Sequence, residues 1–215
     1  MVEPETRFLP LFPLELVVFP GEEQKLHIFE PRYKQLIREC EDTATPFGIA
    51  SCVDKRLSGY GTEMELVTVY RVYPGGEMDI LTRARRRFRV ASFQAQLADK
   101  LYGGGDVVPL DDEADAAPEV SAQVASEYAL LHDLLETGFT RDDFQRPDLS
   151  YRIAEEVGLS LAQKVDLLAV NRESERQEAI LQHLRRVIPV LEGARDVKRR
   201  VKGNGHFIRL PQLDL

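Results

Sequence analysis

Cysteine is scarce in this chain of 215 residues: only Cys40 and Cys52 occur. Two thiols are too few for a disulfide framework, and their separation rules out a CxxC redox or zinc unit. That usage suits a reducing cytoplasm, and both thiols fall on apolar patterns, where buried spectators sit. Long apolar runs are also missing, since a bilayer span needs roughly 18 or more consecutive apolar residues. The opening has no basic segment leading into an apolar stretch, and `LPLFPLELVVFPG` carries three prolines and a glutamate that oppose a signal helix.

The chemistry of catalysis is equally absent. His27, His132, His183 and His206 show no paired spacing for a metal, so neither a metal nor a cofactor is expected. There is no GxxxxGK[ST] phosphate loop, and no Ser, Cys or His stands in a nucleophile elbow. The expectation is a protein that is not an enzyme. Acidic residues (36) outnumber basic ones (28), giving a net charge of -8 and a field that repels phosphate backbones and anionic lipid. Nucleic acid and membrane are therefore disfavoured partners.

What is present suffices for a folded body. Apolar residues make up 43% and charged residues 30%, a balance that fills a core and covers it. The length fits one compact unit of two lobes. From Arg7 to about Leu110 short apolar runs alternate with Pro and Gly, the texture of a β-rich lobe. One helix interrupts it: Pro31 stands at a first helical position, and Tyr33, Leu36, Ile37 and Cys40 recur at helical spacing.

The clearest hairpin joins `TEMELVTVYRV` to `MDILTRARRRFRV` through `YPGGE`. With Tyr73 opposite Glu77, Glu65 falls across from Arg85, Glu63 from Arg87 and Arg71 from Asp79 on one face. The other face then carries Met64, Leu66, Tyr70, Val72, Met78, Ile80, Phe88 and Val90, and a one-residue slip would bury charge. Gly103 to Gly105 read as a loop, because the strand-like `DVVPL` follows where a phosphate site would need a helix N-terminus. The prolines of the first apolar segment oppose a regular central strand there.

The acidic, alanine-rich `DDEADAAPE` reads as a linker. After Pro118 the period is helical: Val120, Val124, Tyr128, Leu131 and Leu135 form a stripe with Gly138 as terminator. Ser160 with Gln163, and Ser174 with Gln177, have capping-box spacing. A last helix carries Ile180, Leu184, Val187, Ile188 and Leu191, with Pro189 placed to bend it and a basic end suited to the dipole. These readings divide the chain into residues 1–112, 118–202 and a tail, 203–215, that either frays or docks.

Three segments carry a resemblance. `LPLFPLELVVFPG` followed by `LHIFEPRYKQLI`, the hairpin ending `RARRRFRV`, and `VGLSLAQKVDLLAVNRESERQEAILQHL` together resemble the N-terminal substrate-binding domain of Lon proteases, over roughly Arg7 to Arg200. Ala84 stands where such domains often have glycine. A full Lon protease continues into an ATPase and a Ser-Lys protease, for which these residues hold neither motif nor room. The resemblance implies an α+β fold, a PUA-like β pseudo-barrel lobe followed by a helical bundle lobe. It also implies a role in recognising polypeptide substrates or a partner protein, a separate Lon-type protease among the options.

The `HIFEPRY` segment is the leading surface candidate: His27, Phe29, Glu30, Arg32 and Tyr33 place donors and aromatics around a helix start, and Phe12 and Phe19 could add an apolar groove. Each also has a folding role available, with Phe29 packing inward, Pro31 opening the helix and Glu30 at its positive end. The alternative function is RNA binding by Arg83, Arg85, Arg87 and Arg89, favoured by the PUA-like implication and opposed by the facing glutamates.

Overall fold

The computed structural model describes residues 5–137 and 148–204, with side chains described as far as residue 197. The expectations for Gly138, His206 and the tail beyond residue 204 lie outside the described residues. In chain order the elements are β1 (Arg7–Leu14), β2 (Glu23–Ile28), α1 (Pro31–Thr43), β3 (Phe47–Val53), β4 (Arg56–Val72), β5 (Met78–Val90), β6 (Gly103–Pro109), α2 (Pro118–Leu135), α3 (Leu149–Ala154), α4 (Leu161–Ala169) and α5 (Glu173–Asn204).

All six strands form one sheet in the order β2-β5-β4-β3-β1-β6, with β6 also pairing to β5. One edge of β5 is shared: β2 takes Met78 to Arg83 and β6 takes Phe88 to Val90. The ring therefore closes through three residue pairs only, and β2 hangs outside it as an outermost strand. This is a pseudo-barrel of the expected mixed class.

β1 lies inside the sheet order despite Pro10 and Pro13, contrary to the expectation for a proline-bearing segment. Its pairing is staggered: Arg7 to Leu11 pair with β6, and Leu11 to Leu14 pair with β3. Each proline thus sits in a half-strand with a partner on one side, where a missing N–H breaks no second ladder. Gly103 to Gly105 are not a loop but the start of β6. A Cβ on Gly105 would stand 1.9 Å from the Ser92 carbonyl oxygen, and one on Gly103 would stand 2.5 Å from that of Gln94. Glycine is needed there because backbones converge.

The hairpin turn pairs as its sequence suggests, Tyr73 N–H donating to Glu77 C=O at 2.9 Å, with Arg71 opposite Asp79. Three irregularities then shift the register, so Glu65 faces Arg83, and Thr62 rather than Glu63 faces Arg87. Glu65 still reaches Arg85 diagonally, whereas Glu63 pairs with Arg7. Tyr70 and Val72, expected on the core face, are 53% and 64% exposed. Tyr70 falls where the ladder breaks and Val72 lies one step from the turn, so neither has a core layer above it.

Two main cores result. In the β-rich part, Tyr33, Leu36, Ile37 and Cys40 of α1 cover Phe12, Phe47, Ile49, Met64, Met78 and Ile80. In the helical part, Val124, Tyr128 and Leu131 of α2 meet Tyr151, Ile153, Leu168, Ile180 and Leu184. The extended segment after β1 feeds both: Val18 enters the first core, Val17 and Phe19 the second. Alternation in an extended chain sends neighbours to opposite sides, so this short segment seams the two parts together.

Ser160 and Gln163 form the expected reciprocal capping box, at 2.9 and 3.3 Å. Ser174 and Gln177 do not. α5 begins at Glu173, the Ser174 hydroxyl and N–H both donate to Asp115, and Gln177 donates to Glu173. The acidic stretch is thereby stitched to the start of α5, with Glu113 bridging Asn171 and Glu173 through its backbone.

Candidate functional site

β2 ends at Ile28 and α1 begins at Pro31, whose fixed φ suits a first helical turn. Two residues make this corner, and they hold Phe29 out in solvent, 60% exposed. The inward packing considered for Phe29 is thus not found: Ile28 and Tyr33, on either side of it, fill the core instead.

Around Phe29 the sheet supplies a polar and aromatic support. His27, Asp79 and Arg71 form one transverse row across β2, β5 and β4. His27 Nδ1 lies 2.6 Å from Asp79 Oδ1, and the Tyr73 hydroxyl donates to Asp79 Oδ2 at 2.7 Å. These bonds hold the Asp79 carboxyl below its usual range, His27 contributing most. An ionised carboxylate only accepts, so His27 Nδ1 carries the proton. The His27 ring stands 6.1 Å from Phe29 and meets Tyr73 edge-on at 5.7 Å, while the Arg71 guanidinium lies 4.6 Å over the Tyr73 ring. His27 at the end of β2 and Tyr73 at the hairpin turn are thus both held by the one Asp79 carboxylate.

Arg32 lies over the Tyr33 ring at 4.5 Å and donates to Glu30 at 2.9 Å. Glu30 sits at the N-cap position without a side-chain cap bond. Lys34 donates to the Gly75 carbonyl and to Glu77, tying α1 to the hairpin turn. Beside this tie an open groove of about 700 Å³ runs between Pro31, Arg38, Gly75 and Leu101.

The candidate residues thus separate. His27, Phe29, Glu30 and Arg32 share one surface. Tyr33 and Phe12 are buried and stacked on each other at 3.6 Å, and Phe19 is buried against Tyr151 at 5.1 Å. Burial corrects their proposed contact role, since they have no surface to offer. Tyr73 and Arg71 belong to the support around Phe29 and were missed as site residues, because the sequence read them only as a turn and a charge pair.

The arginine-rich strand is a different object from the one its sequence suggests. Arg83 pairs with Glu23 at 2.7 Å and Arg85 with Glu65. Arg87 is 0% exposed and donates to Asp112 at 2.9 Å, the Leu168 carbonyl at 3.0 Å, the Asp111 carbonyl at 2.7 Å and Asn171 at 2.9 Å. It fastens β5 to the helical part and is not available to a phosphate. No spacing in the sequence announces partners that lie 24 to 84 residues away.

Among the described residues no cluster of three or more His, Cys, Asp or Glu could hold a metal ion, and no helix is long and apolar enough to cross a membrane. Over residues 8–186 the chain matches the family described as the ATP-dependent protease La (LON) substrate-binding domain. It is similar to a solved Lon N-terminal domain protein from Xanthomonas campestris, with 31% identity and a TM-score of 0.67 over 82% of this chain and 98% of that one. It shares its fold with the N-terminal domain of Mycobacterium avium complex Lon protease, at 19% identity and a TM-score of 0.62 over 83% and 98% of the two chains. A pseudo-barrel seamed to a helical part, matched over most of its length, makes this chain a member of the Lon substrate-binding domain family.

Proposed function

We propose that this chain is a cytoplasmic, non-catalytic recognition domain that binds polypeptide segments at the β2–α1 corner. Phe29 carries the reading, as a large aromatic left 60% exposed at the turn between β2 and α1. Exposed apolar groups rimmed by polar ones are where partners dock. His27, Tyr73 and Arg71 supply the rim, and Glu30 and Arg32 flank it. The bound segment is an unfolded substrate or an exposed segment of a partner, a Lon-type protease being one such partner. Peptide is favoured over RNA because, in the arginine strand, Arg83 and Arg85 are spent on carboxylates and Arg87 is buried.

The test is fluorescence anisotropy with fluorescein-labelled, reduced and carboxymethylated lactalbumin, which cannot refold. Saturable binding is expected, weakened at least tenfold by Phe29→Ala with the far-UV spectrum and melting temperature unchanged. Binding that ignores the substitution, or no binding at all, sinks the proposal.

A further inference from the structure

β2 is the outermost strand of the sheet, and its one strand partner among the described residues is β5. Which backbone groups face outward follows from the ladder. Ala84 N–H donates to Glu22 C=O at 2.8 Å, and the register then runs unbroken from Glu23 opposite Arg83 to Ile28 opposite Met78. Bonded and non-bonded pairs alternate in an antiparallel ladder. Gln24, Leu26 and Ile28 therefore exchange the bonds with β5, and the N–H and C=O groups of Glu23, Lys25 and His27 point away from it. Gln24 corroborates this direction: its side-chain amide donates to the exposed Lys25 carbonyl at 2.8 Å, where a neighbouring strand would otherwise donate.

The side chains along this edge are unequal. The Glu23 carboxylate is taken by Arg83 and His27 is held by Asp79. Lys25 is exposed and has no ion-pair partner among the described residues. The edge thus offers one exposed cation without a carboxylate partner among the described residues, on a chain of net charge -8. Phe29 stands just past its end.

Resting on the peptide-binding reading above, we propose that an extended peptide adds to β2 as a further strand, bonded to the backbones of Glu23, Lys25 and His27. The peptides preferred carry an acidic side chain opposite Lys25 and an aromatic or large aliphatic one against Phe29. Main-chain bonds make the site tolerant of sequence, and the two side-chain positions give it a bias. A second copy of the chain fits the edge worse. Two-fold antiparallel pairing of β2 with itself centred on Lys25 sets Lys25 opposite Lys25, and like charges directly opposed are unfavourable.

The probe is a fluorescein-labelled eight-residue peptide of serine and threonine with one glutamate and one phenylalanine four positions apart, titrated by anisotropy. In an added strand the N–H groups of alternate residues face β2. N-methylating one alternate set is expected to weaken binding at least tenfold, and methylating the other set to leave it within twofold. Lys25→Glu is expected to weaken the glutamate peptide and to strengthen its lysine counterpart. Equal binding of both methylated sets, with Phe29→Ala still abolishing it, overturns strand addition and leaves the corner site standing. Failure of both this peptide and unfolded lactalbumin to bind overturns the two proposals together. A concentration-dependent dimer in sedimentation that Lys25→Pro dissociates assigns the edge to a second copy and likewise overturns it.

Discussion

Arg87 Nε donates to Asp112 Oδ1 at 2.9 Å, and that one carboxylate oxygen also accepts from Arg176 Nη1 and from the Tyr151 hydroxyl, each at 2.8 Å. A residue of β5, one of the segment after β6, one of α3 and one of α5 thus converge on a single atom. Arg176 extends the network by bonding Glu173 at 2.8 Å and the backbone carbonyls of Val170 and Asn171, with its guanidinium 4.2 Å over the Tyr151 ring. The sheet and the helical part are joined through this charge cluster as well as through Val17 and Phe19.

Arg87→Met removes a buried guanidinium and strands its partners. The Asp112 carboxylate keeps Arg176, but the carbonyls of Asp111 and Leu168 lose their donors. Leaving a buried hydrogen-bonding group without its partner costs about 1–3 kcal/mol, and a drop of about 3 kcal/mol is expected in urea unfolding followed by circular dichroism. Arg87→Lys is expected to recover less than half of it, because an ammonium cannot span four acceptors set around a planar fork. Full recovery by lysine would show that the charge matters and the fork does not.

Glu22 gives the fold a pH dependence near neutrality. Burial pushes its carboxyl up to about 7, Glu155 adding to the rise while the Phe19 N–H bond and Lys164 oppose it. The folded chain then binds a proton that the unfolded chain, titrating near 4.5, releases. Stability from this group is complete below about pH 4.5 and is lost as pH rises to about 7. Because Glu22 is half-buried, solvent screening limits the loss to the order of 1 kcal/mol. Glu22→Gln is expected to flatten that interval and to be the more stable protein at pH 8, read as the pH dependence of the melting temperature.

The elements legible in the sequence are those whose determinants are local. Tyr33, Leu36, Ile37 and Cys40 repeat at helical spacing and are the buried face of α1, and Ser160 with Gln163 closes its box within one turn. The hairpin is legible for two pairs from its turn and no further. Its bulges answer to neighbouring strands, with β3 along one side of β4 and β2 and β6 dividing one edge of β5. Ser174 and Gln177 have the same spacing as a working box and fail, because Asp115 takes the serine first. Arg87 looked like a surface cation among others, since its partners are distant in sequence. Phe29 looked like core for a related reason: hydrophobic character says nothing about whether a space is left for the side chain, and Ile28 and Tyr33 had already filled it.

Ser160→Ala deletes the acceptor for the Gln163 N–H and frees the side chain that returns the bond. A loss of about 1 kcal/mol is expected, with Ser160→Asp close to neutral because a carboxylate caps as well. The matching change at Ser174 is a control on mechanism: its partner is Asp115, whose carboxyl the Ser174 backbone N–H, then the Ser174 hydroxyl and Arg172, lower to about 2. Ser174→Ala removes one of those three donors and is expected to raise the Asp115 value, measured by carboxyl NMR titration, whereas Ser160→Ala leaves it unchanged.

Gly105→Ala tests whether the glycine run serves packing. A Cβ there falls 1.9 Å from the Ser92 carbonyl oxygen and 2.8 Å from its carbon, and backbone cannot rotate away as a flexible side chain can. Ser92 is pinned from the same side, its hydroxyl donating to the Asp106 carboxylate at 2.9 Å and its N–H to the Asp106 carbonyl at 3.1 Å. Relief would have to open β6, which also closes the ring against β5 at Phe88 to Val90. A penalty of about 3 kcal/mol is expected from such overpacking, with early amide exchange in β6. Gly21→Ala meets nothing within 4 Å, but Gly21 has a φ of +88°, so its penalty is the smaller one of backbone strain alone, about 1 kcal/mol. Equal losses at the two positions would mean that the Ser92 carbonyl gives way, and that its closeness is not what demands glycine at 105.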